Sequence, residues 1–175
     1  MNVLAFIVAA ALLSLERITY VWVWRRPREF RDLAERFAFW ATPIDALNAL
    51  FWVFKAIQAT VFVAWCAASG SGVDGFHGGV ATLTAGALLL LVGQVLNFGV
   101  FYRLGRTGVF YGNRLGHEIP WCQAFPFSVL KHPQYVGTVL SIWGFFLVMR
   151  FPYDDWFFLP ALETVYYAAG AYLEQ

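Results

Sequence analysis

The chain has 175 residues, of which 60% are hydrophobic and 13% charged, against roughly 45–50% and 25% in water-soluble domains. That imbalance excludes an ordinary soluble globular protein, and a formal net charge of +1 without a basic run interleaved with aromatics gives no general pull toward nucleic acid, which is not expected as a partner. The two cysteines, Cys66 and Cys122, are too few for a disulfide scaffold and lack the spacing of a zinc or redox motif.

A helix that crosses about 30 Å of hydrocarbon needs about 20 mostly apolar residues. In chain order, segments 2–24, 44–68 and 80–104 satisfy this, and a fourth apolar stretch runs from 135 to 173. Arg150, Pro152, Asp154 and Asp155 interrupt that stretch with groups a continuous span would not place at mid-bilayer, so it divides into helices near 135–149 and 156–173. The expected fold class is therefore all-α: a polytopic membrane bundle of four to five transmembrane helices, the last two a hairpin, in one domain over residues 1–175. The first segment has no basic n-region and no A-x-A-like site before Glu16 and Arg17, which favours a retained helix over a signal peptide. Eight Trp, eight Tyr and 18 Phe suit the two bilayer interfaces.

Basic residues in the short loops set orientation. Arg25, Arg26, Arg28, Arg31 and Arg36 lie in the first loop, none lies in the second (69–79), and Arg106, Arg114 and Lys131 lie in the third. The first and third loops are expected on the cytosolic side, together with the C-terminal end of the chain.

The third loop, 105–134, is long for a helix connection in a bundle, and such loops are usually functional or disordered. Gly105, Gly108, Gly112 and Gly116 give it backbone freedom, while Phe110, Tyr111, Trp121, Phe125 and Phe127 supply apolar mass that argues against disorder. It reads as a lid over a site or as a loop lying on the headgroups. It closes with Lys131, His132, Pro133, Gln134, Tyr135, Val136 and Gly137 at the start of a helix. Proline fits the first helical turn, and a helix N-terminus favours an anion beside Lys131 and His132.

Farther along, Glu163, Gly170 and Glu174 are spaced by seven and four residues, as are Gly86, Gly93 and Asn97, so each helix carries a small-or-polar stripe. Such stripes serve close packing and interhelical hydrogen bonds. An intramembrane carboxylate is costlier, which makes Glu163 and Glu174 functional candidates, whereas Lys55 and the Glu16/Arg17 pair can snorkel or neutralise one another. Gly70, Ser71, Gly72, Val73, Asp74 and Gly75 match G-x-G-x-x-G but stand between two spans rather than in a βαβ unit, so they read as a flexible turn. His77, His117 and His132 lack metal-site spacing, and no metal is expected.

The chain from about 86 to 175 resembles the phospholipid methyltransferase family, within the small membrane methyltransferases that also include the isoprenylcysteine carboxyl methyltransferases. The family's [RKN]-x-P-x-Y-x-G core is similar to Lys131–Gly137, the Phe-Pro-Phe of the phospholipid branch to Phe125, Pro126 and Phe127, and the upstream points to Leu104-Gly105, Gly108 and Tyr111-Gly112. The resemblance implies S-adenosylmethionine as cofactor. It would be bound by Leu91, Val92 and Gly93 at the family's G-x-G position, by Lys131, His132, Pro133, Tyr135 and Gly137, and by Glu174 and Gln175 at its Glu-Glu pair. Leu91 replaces the first glycine and Gln175 the second glutamate.

The same resemblance implies N-methylation of phosphatidylethanolamine derivatives, the monomethyl and dimethyl forms, toward phosphatidylcholine. Glu174 would then hold the cofactor's ammonium or ribose, Lys131 or His132 its carboxylate or a lipid phosphate, and Tyr135 the sulfonium. His132, Tyr135 and Glu163 are the catalytic candidates, with His132 and Glu163 open as the general base. The expected partners are a membrane phospholipid and the bilayer, in the endoplasmic reticulum of a eukaryote or the inner membrane of a bacterium. Carboxyl O-methylation of prenylated cysteine, a non-enzymatic membrane scaffold and a membrane reductase are the alternatives.

Overall fold

Long apolar runs leave the backbone no water to bond with, so the chain satisfies its amides within helices. The computed structural model describes residues 3–37, 39–68, 78–120 and 122–174. The G-x-G-x-x-G turn at 70–75, His77, Trp121 and Gln175 lie outside them. Among the described residues the regular structure is all helical: α1 (Val3–Arg25), α2 (Pro27–Arg36), α3 (Pro43–Ala68), α4 (Val80–Val109), α5 (Pro133–Met149) and α6 (Phe158–Leu173). Helices α1, α3 and α4 are long and apolar enough to cross a membrane, and α5 is a shorter apolar helix.

Two features differ from the sequence reading. The Arg-rich first loop contains α2, a helix too short to span, which opens on Pro27 with Glu29 in its first turn. Its Phe30 and Ala34, four residues apart, are buried while most of its charged side chains face outward. Helix α4 runs on to Val109 through a break at Gly105, whose φ of 60° is open to glycine but costly for other residues. The third loop is correspondingly shorter.

The helices pack along an arc in the order α3–α1–α6–α5–α4. Helix α1 meets α6 through Tyr166 Oη, which donates to Ala10 O at 3.1 Å, and α6 meets α5 through Trp143 Nε1, which donates to Thr164 Oγ1 at 3.0 Å. The ends of the arc touch where Arg106 Nη2 meets Asp45 Oδ1 at 2.5 Å and where Phe51 packs on Phe101 and Phe110. Thr42 caps α3 by accepting from Asp45 N at 3.1 Å.

The tightest packing joins α4 to α5. A Cβ on Gly93 would lie 2.5 Å from Gly137 O and 2.9 Å from Ser141 N, and one on Gly144 would lie 2.6 Å from Gly86 O. The glycine stripe thus serves close approach of two backbones, with Gly137 and Gly144 as the facing pair on α5. Because the obstacles are backbone atoms, Gly93→Ala is expected to destabilise by about 1–3 kcal/mol. Thermal unfolding in detergent checks this, and an unchanged melting temperature contradicts it.

One end of the bundle is basic. All of the chain's 12 Lys and Arg except Arg17, Lys55 and Arg150 lie at the end formed by the C-terminus of α1, α2, the start of α3, the end of α4, the third loop and the start of α5. The C-terminus of α6 joins them, Arg25 Nε donating to Leu173 O at 3.4 Å. The opposite end is tied by Arg150, 3% exposed, whose Nε and Nη2 donate to Asp155 at 2.8 and 3.1 Å.

Candidate functional site

The start of α5 and the end of α6 meet at the basic end. Pro133 stands at the first helical position of α5, with His132 as N-cap, so the first turn delivers Tyr135 inward. Tyr135 Oη donates to Glu174 Oε2, and Glu174 is the C-cap of α6. The His132 ring stacks on Tyr135 with centroids 5.9 Å apart. Tyr111, at the foot of the third loop with φ 53°, brings its Oη to 3.4 Å from Tyr135 Oη. Its ring lies edge-on to Tyr20 and Trp24. Burial, with Tyr135 and Glu174 close by, pushes the Tyr111 phenol well above its usual range, so it stays neutral.

Two cavities meet at Tyr111, which lines both. The first, of about 650 Å³, lies inside the arc. Its walls are apolar toward α3 and α4 (Phe51, Trp52, Phe62, Phe98 and Phe101), and its polar lining includes Arg17, Lys55, Gln94, Asn97 and Tyr135. Trp52 and Phe98, 64% and 69% exposed, stand on its outer side, where hydrocarbon would be. The second cavity, of about 830 Å³, lies under the third loop, lined by Trp24, Leu104, Ile119, Phe127, Leu130 and Lys131 among others.

A chain of polar side chains runs from this site into the bundle. Glu16 Oε1 accepts from Arg17 Nη2 at 2.5 Å and Glu16 Oε2 from Lys55 Nζ at 3.1 Å. Lys55 also reaches Gln58 Oε1 at 3.0 Å and Tyr167 Oη at 3.3 Å, and Gln58 Nε2 donates to Glu163 Oε1 at 2.7 Å. Three buried polar atoms near Tyr135 have no hydrogen-bond partner among the described residues: Arg17 Nη1, His132 Nε2 and Glu174 Oε1. Buried groups left in this condition carry the full cost of desolvation, which a ligand can relieve.

The sequence-derived candidates separate here. His132, Pro133, Tyr135 and Glu174 come together, with Lys131 beside them on the second cavity. Gly137 and Gly93 face each other in the α4–α5 seam. Leu91 and Val92, 61% and 48% exposed, lie on the outer face of α4 and line neither cavity. Glu163, 2% exposed, sits on the Gln58 side of the network and lines neither cavity. Sequence reasoning set aside Arg17, although a lone arginine amid apolar residues signals a cost that something must offset.

Burial and neighbouring Lys131 hold the His132 pKa below its usual 6.5, against an opposing pull from Glu174. For a group whose pKa falls on folding, the stability contribution is full above the unfolded value and is lost as pH falls below it. His132→Asn is therefore expected to flatten the loss of thermal stability between about pH 6.5 and pH 5. Melting curves in detergent across that range check this, and an unchanged pH profile contradicts it.

The profile of the phospholipid methyltransferase family matches residues 81–175, more than half of the chain. A phosphatidyl-N-methylethanolamine N-methyltransferase of Arabidopsis thaliana is 50% identical over 54 residues, 31% of this chain and 33% of that protein. The chain thus aligns with about a third of the length of this relative, and no solved structure matches it. The matched residues contain the α4–α5 seam, the third loop, the Lys131–Gly137 turn and the end of α6, and on that ground the chain belongs to the phospholipid methyltransferase family.

Proposed function

We propose that the protein methylates the amine of phosphatidylethanolamine derivatives, taking the monomethyl and dimethyl forms toward phosphatidylcholine, with S-adenosylmethionine as donor. Two cavities that share Tyr111 as a common wall carry this reading. Transfer between two bound reactants requires two compartments that meet at one point, and alignment there supplies most of the rate. The outer, apolar side of the first cavity suits acyl chains, since exposed Trp52 and Phe98 face where they lie, while its polar wall at Arg17 and Tyr135 is left for the donor. The name of the Arabidopsis relative supports the monomethyl form as an acceptor.

The orphaned Oε1 of Glu174 fits the ammonium of the donor, while Oε2 is already fixed by Tyr135. Bound S-adenosylmethionine supplies a methyl group on a sulfonium, which needs no metal to be electrophilic. The chain's own tasks are to hold both partners, exclude water and accept the amine's proton. Tyr135 carries His132 stacked on its ring and the Arg17 guanidinium 5.4 Å from its centroid, so its part would be to orient Glu174 through its hydroxyl beside the donor. His132 Nε2, buried and without a partner among the described residues, would accept the amine's proton. Exposed Lys131 is available for the lipid phosphate, with the basic end on the cytosolic side of an endoplasmic reticulum or bacterial inner membrane.

The test is transfer of label from S-adenosylmethionine by the full chain in mixed micelles, offering phosphatidylethanolamine, its monomethyl and its dimethyl forms. Label in the monomethyl and dimethyl lipids is the expected result. Label in a prenylcysteine carboxylate but in none of these lipids would replace this reading with carboxyl methylation, and no transfer to any acceptor would end it.

A further inference from the structure

Arg17 is the least expected residue of the site. It stands eight residues before the end of an apolar helix and is 9% exposed. Three tyrosine rings enclose its guanidinium, Tyr167 at 4.2 Å, Tyr20 at 5.1 Å and Tyr135 at 5.4 Å. Glu16 occupies one end of its fork, through Nη2. The other end, Nη1, is buried and has no partner among the described residues.

Across from it lies Glu174 Oε1, buried and equally without a partner. Both atoms are 3.8 Å from the point where a Cβ on Gly170 would sit, so they are no more than twice that distance apart, yet they form no ion pair with each other. Gly170 leaves the space between them open. Two oppositely charged groups, each with one unpartnered atom flanking one small space, match the ammonium and carboxylate carried on a single α-carbon.

We propose that Arg17 binds the carboxylate, and Glu174 the ammonium, of the methionyl group of S-adenosylmethionine, so that α1 and α6 together form a clamp for an amino-acid zwitterion. This rests on the donor assigned above and goes beyond it, since it takes the carboxylate away from Lys131 and His132. Charge supports the division. Lys55 is already held by Glu16, Gln58 and Tyr167, and Lys131 is exposed on the second cavity. A guanidinium held flat by aromatic rings keeps the planar fork that carboxylates prefer, and the rings keep water from competing.

The test compares S-adenosylhomocysteine with its decarboxylated analogue by calorimetry, using the full chain in detergent. Wild-type protein is expected to bind the carboxylated ligand about 10- to 100-fold more tightly, the range of a hydrogen bond between charged groups. Arg17→Met is expected to lose that difference, weakening S-adenosylhomocysteine alone. Should Arg17→Met fail to fold, Gly170→Ala replaces it, because its new Cβ would lie no nearer than 3.7 Å to any neighbour. It would fill the shared space and weaken S-adenosylhomocysteine without lowering the melting temperature. Equal wild-type affinity for the two ligands, or equal weakening of both by Arg17→Met, overturns the clamp. Wild-type protein that binds neither ligand refutes the donor assignment itself.

Discussion

Glu174→Ala is expected to reduce methyl transfer about 100-fold or more, because one carboxylate serves two purposes. Its Oε2 fixes the Tyr135 hydroxyl, and its Oε1 is reserved, in the reading above, for the donor's ammonium. The substitution removes a charge-assisted contact and also frees the tyrosine against which the reacting centre would lie. Glu174→Gln keeps the length and an acceptor, so Tyr135 stays oriented while the charge is lost. The intermediate fall expected for Gln, relative to Ala, separates the two contributions, with initial rates in mixed micelles as the readout. A rate within threefold of wild type for Glu174→Ala would remove Glu174 from the site.

The second large effect concerns stability. Glu16, 6% exposed, is the anion that two cations share, Arg17 at 2.5 Å and Lys55 at 3.1 Å. Glu16→Gln leaves Arg17 buried and Lys55 half-buried without their shared counter-charge, a loss of about 3–5 kcal/mol. Adding Lys55→Met to that variant removes one orphaned charge and is expected to restore part of the loss. Melting in detergent distinguishes these outcomes. If the single variant melts like wild type, or if the double variant is the less stable, the Glu16 pairs do not hold α1 to α3.

The sequence carried the membrane character, the helix hairpin broken at Arg150–Asp155 and the Lys131–Gly137 turn, because each rests on local composition or on residues close together in the chain. Pro133 marked a helix start, and the helix begins there. The glycine stripe at Gly86 and Gly93 was legible as close packing, but its partners Gly137 and Gly144 on α5 depend on register between helices, which one sequence does not state. Helix α2 was hidden because a search for spans passes over a ten-residue amphipathic segment rich in arginine.

The site was legible in proportion to how local it is. His132 and Tyr135 belong to one turn, and Glu174 closes the last helix. Arg17 and Tyr111 join them from 118 and 24 positions before Tyr135, a convergence that only the arc of helices produces. Glu163 and Glu174 share a stripe on α6 yet do different things. The first bonds Gln58 deep in the bundle, the second meets Tyr135 at the basic end. Helical periodicity assigns a face but not a depth, and these two carboxylates lie at different depths.

The proposed placement of the donor between the start of α5 and the end of α6 is tested most directly by photolabelling the full chain with radiolabelled S-adenosylmethionine, followed by peptide mapping. Label is expected on peptides that contain Tyr111, Tyr135 or Tyr167, displaced by unlabelled S-adenosylhomocysteine. Displaceable label confined to the outer face of α4 around Leu91 and Val92, or to the connection between α3 and α4, would contradict that placement.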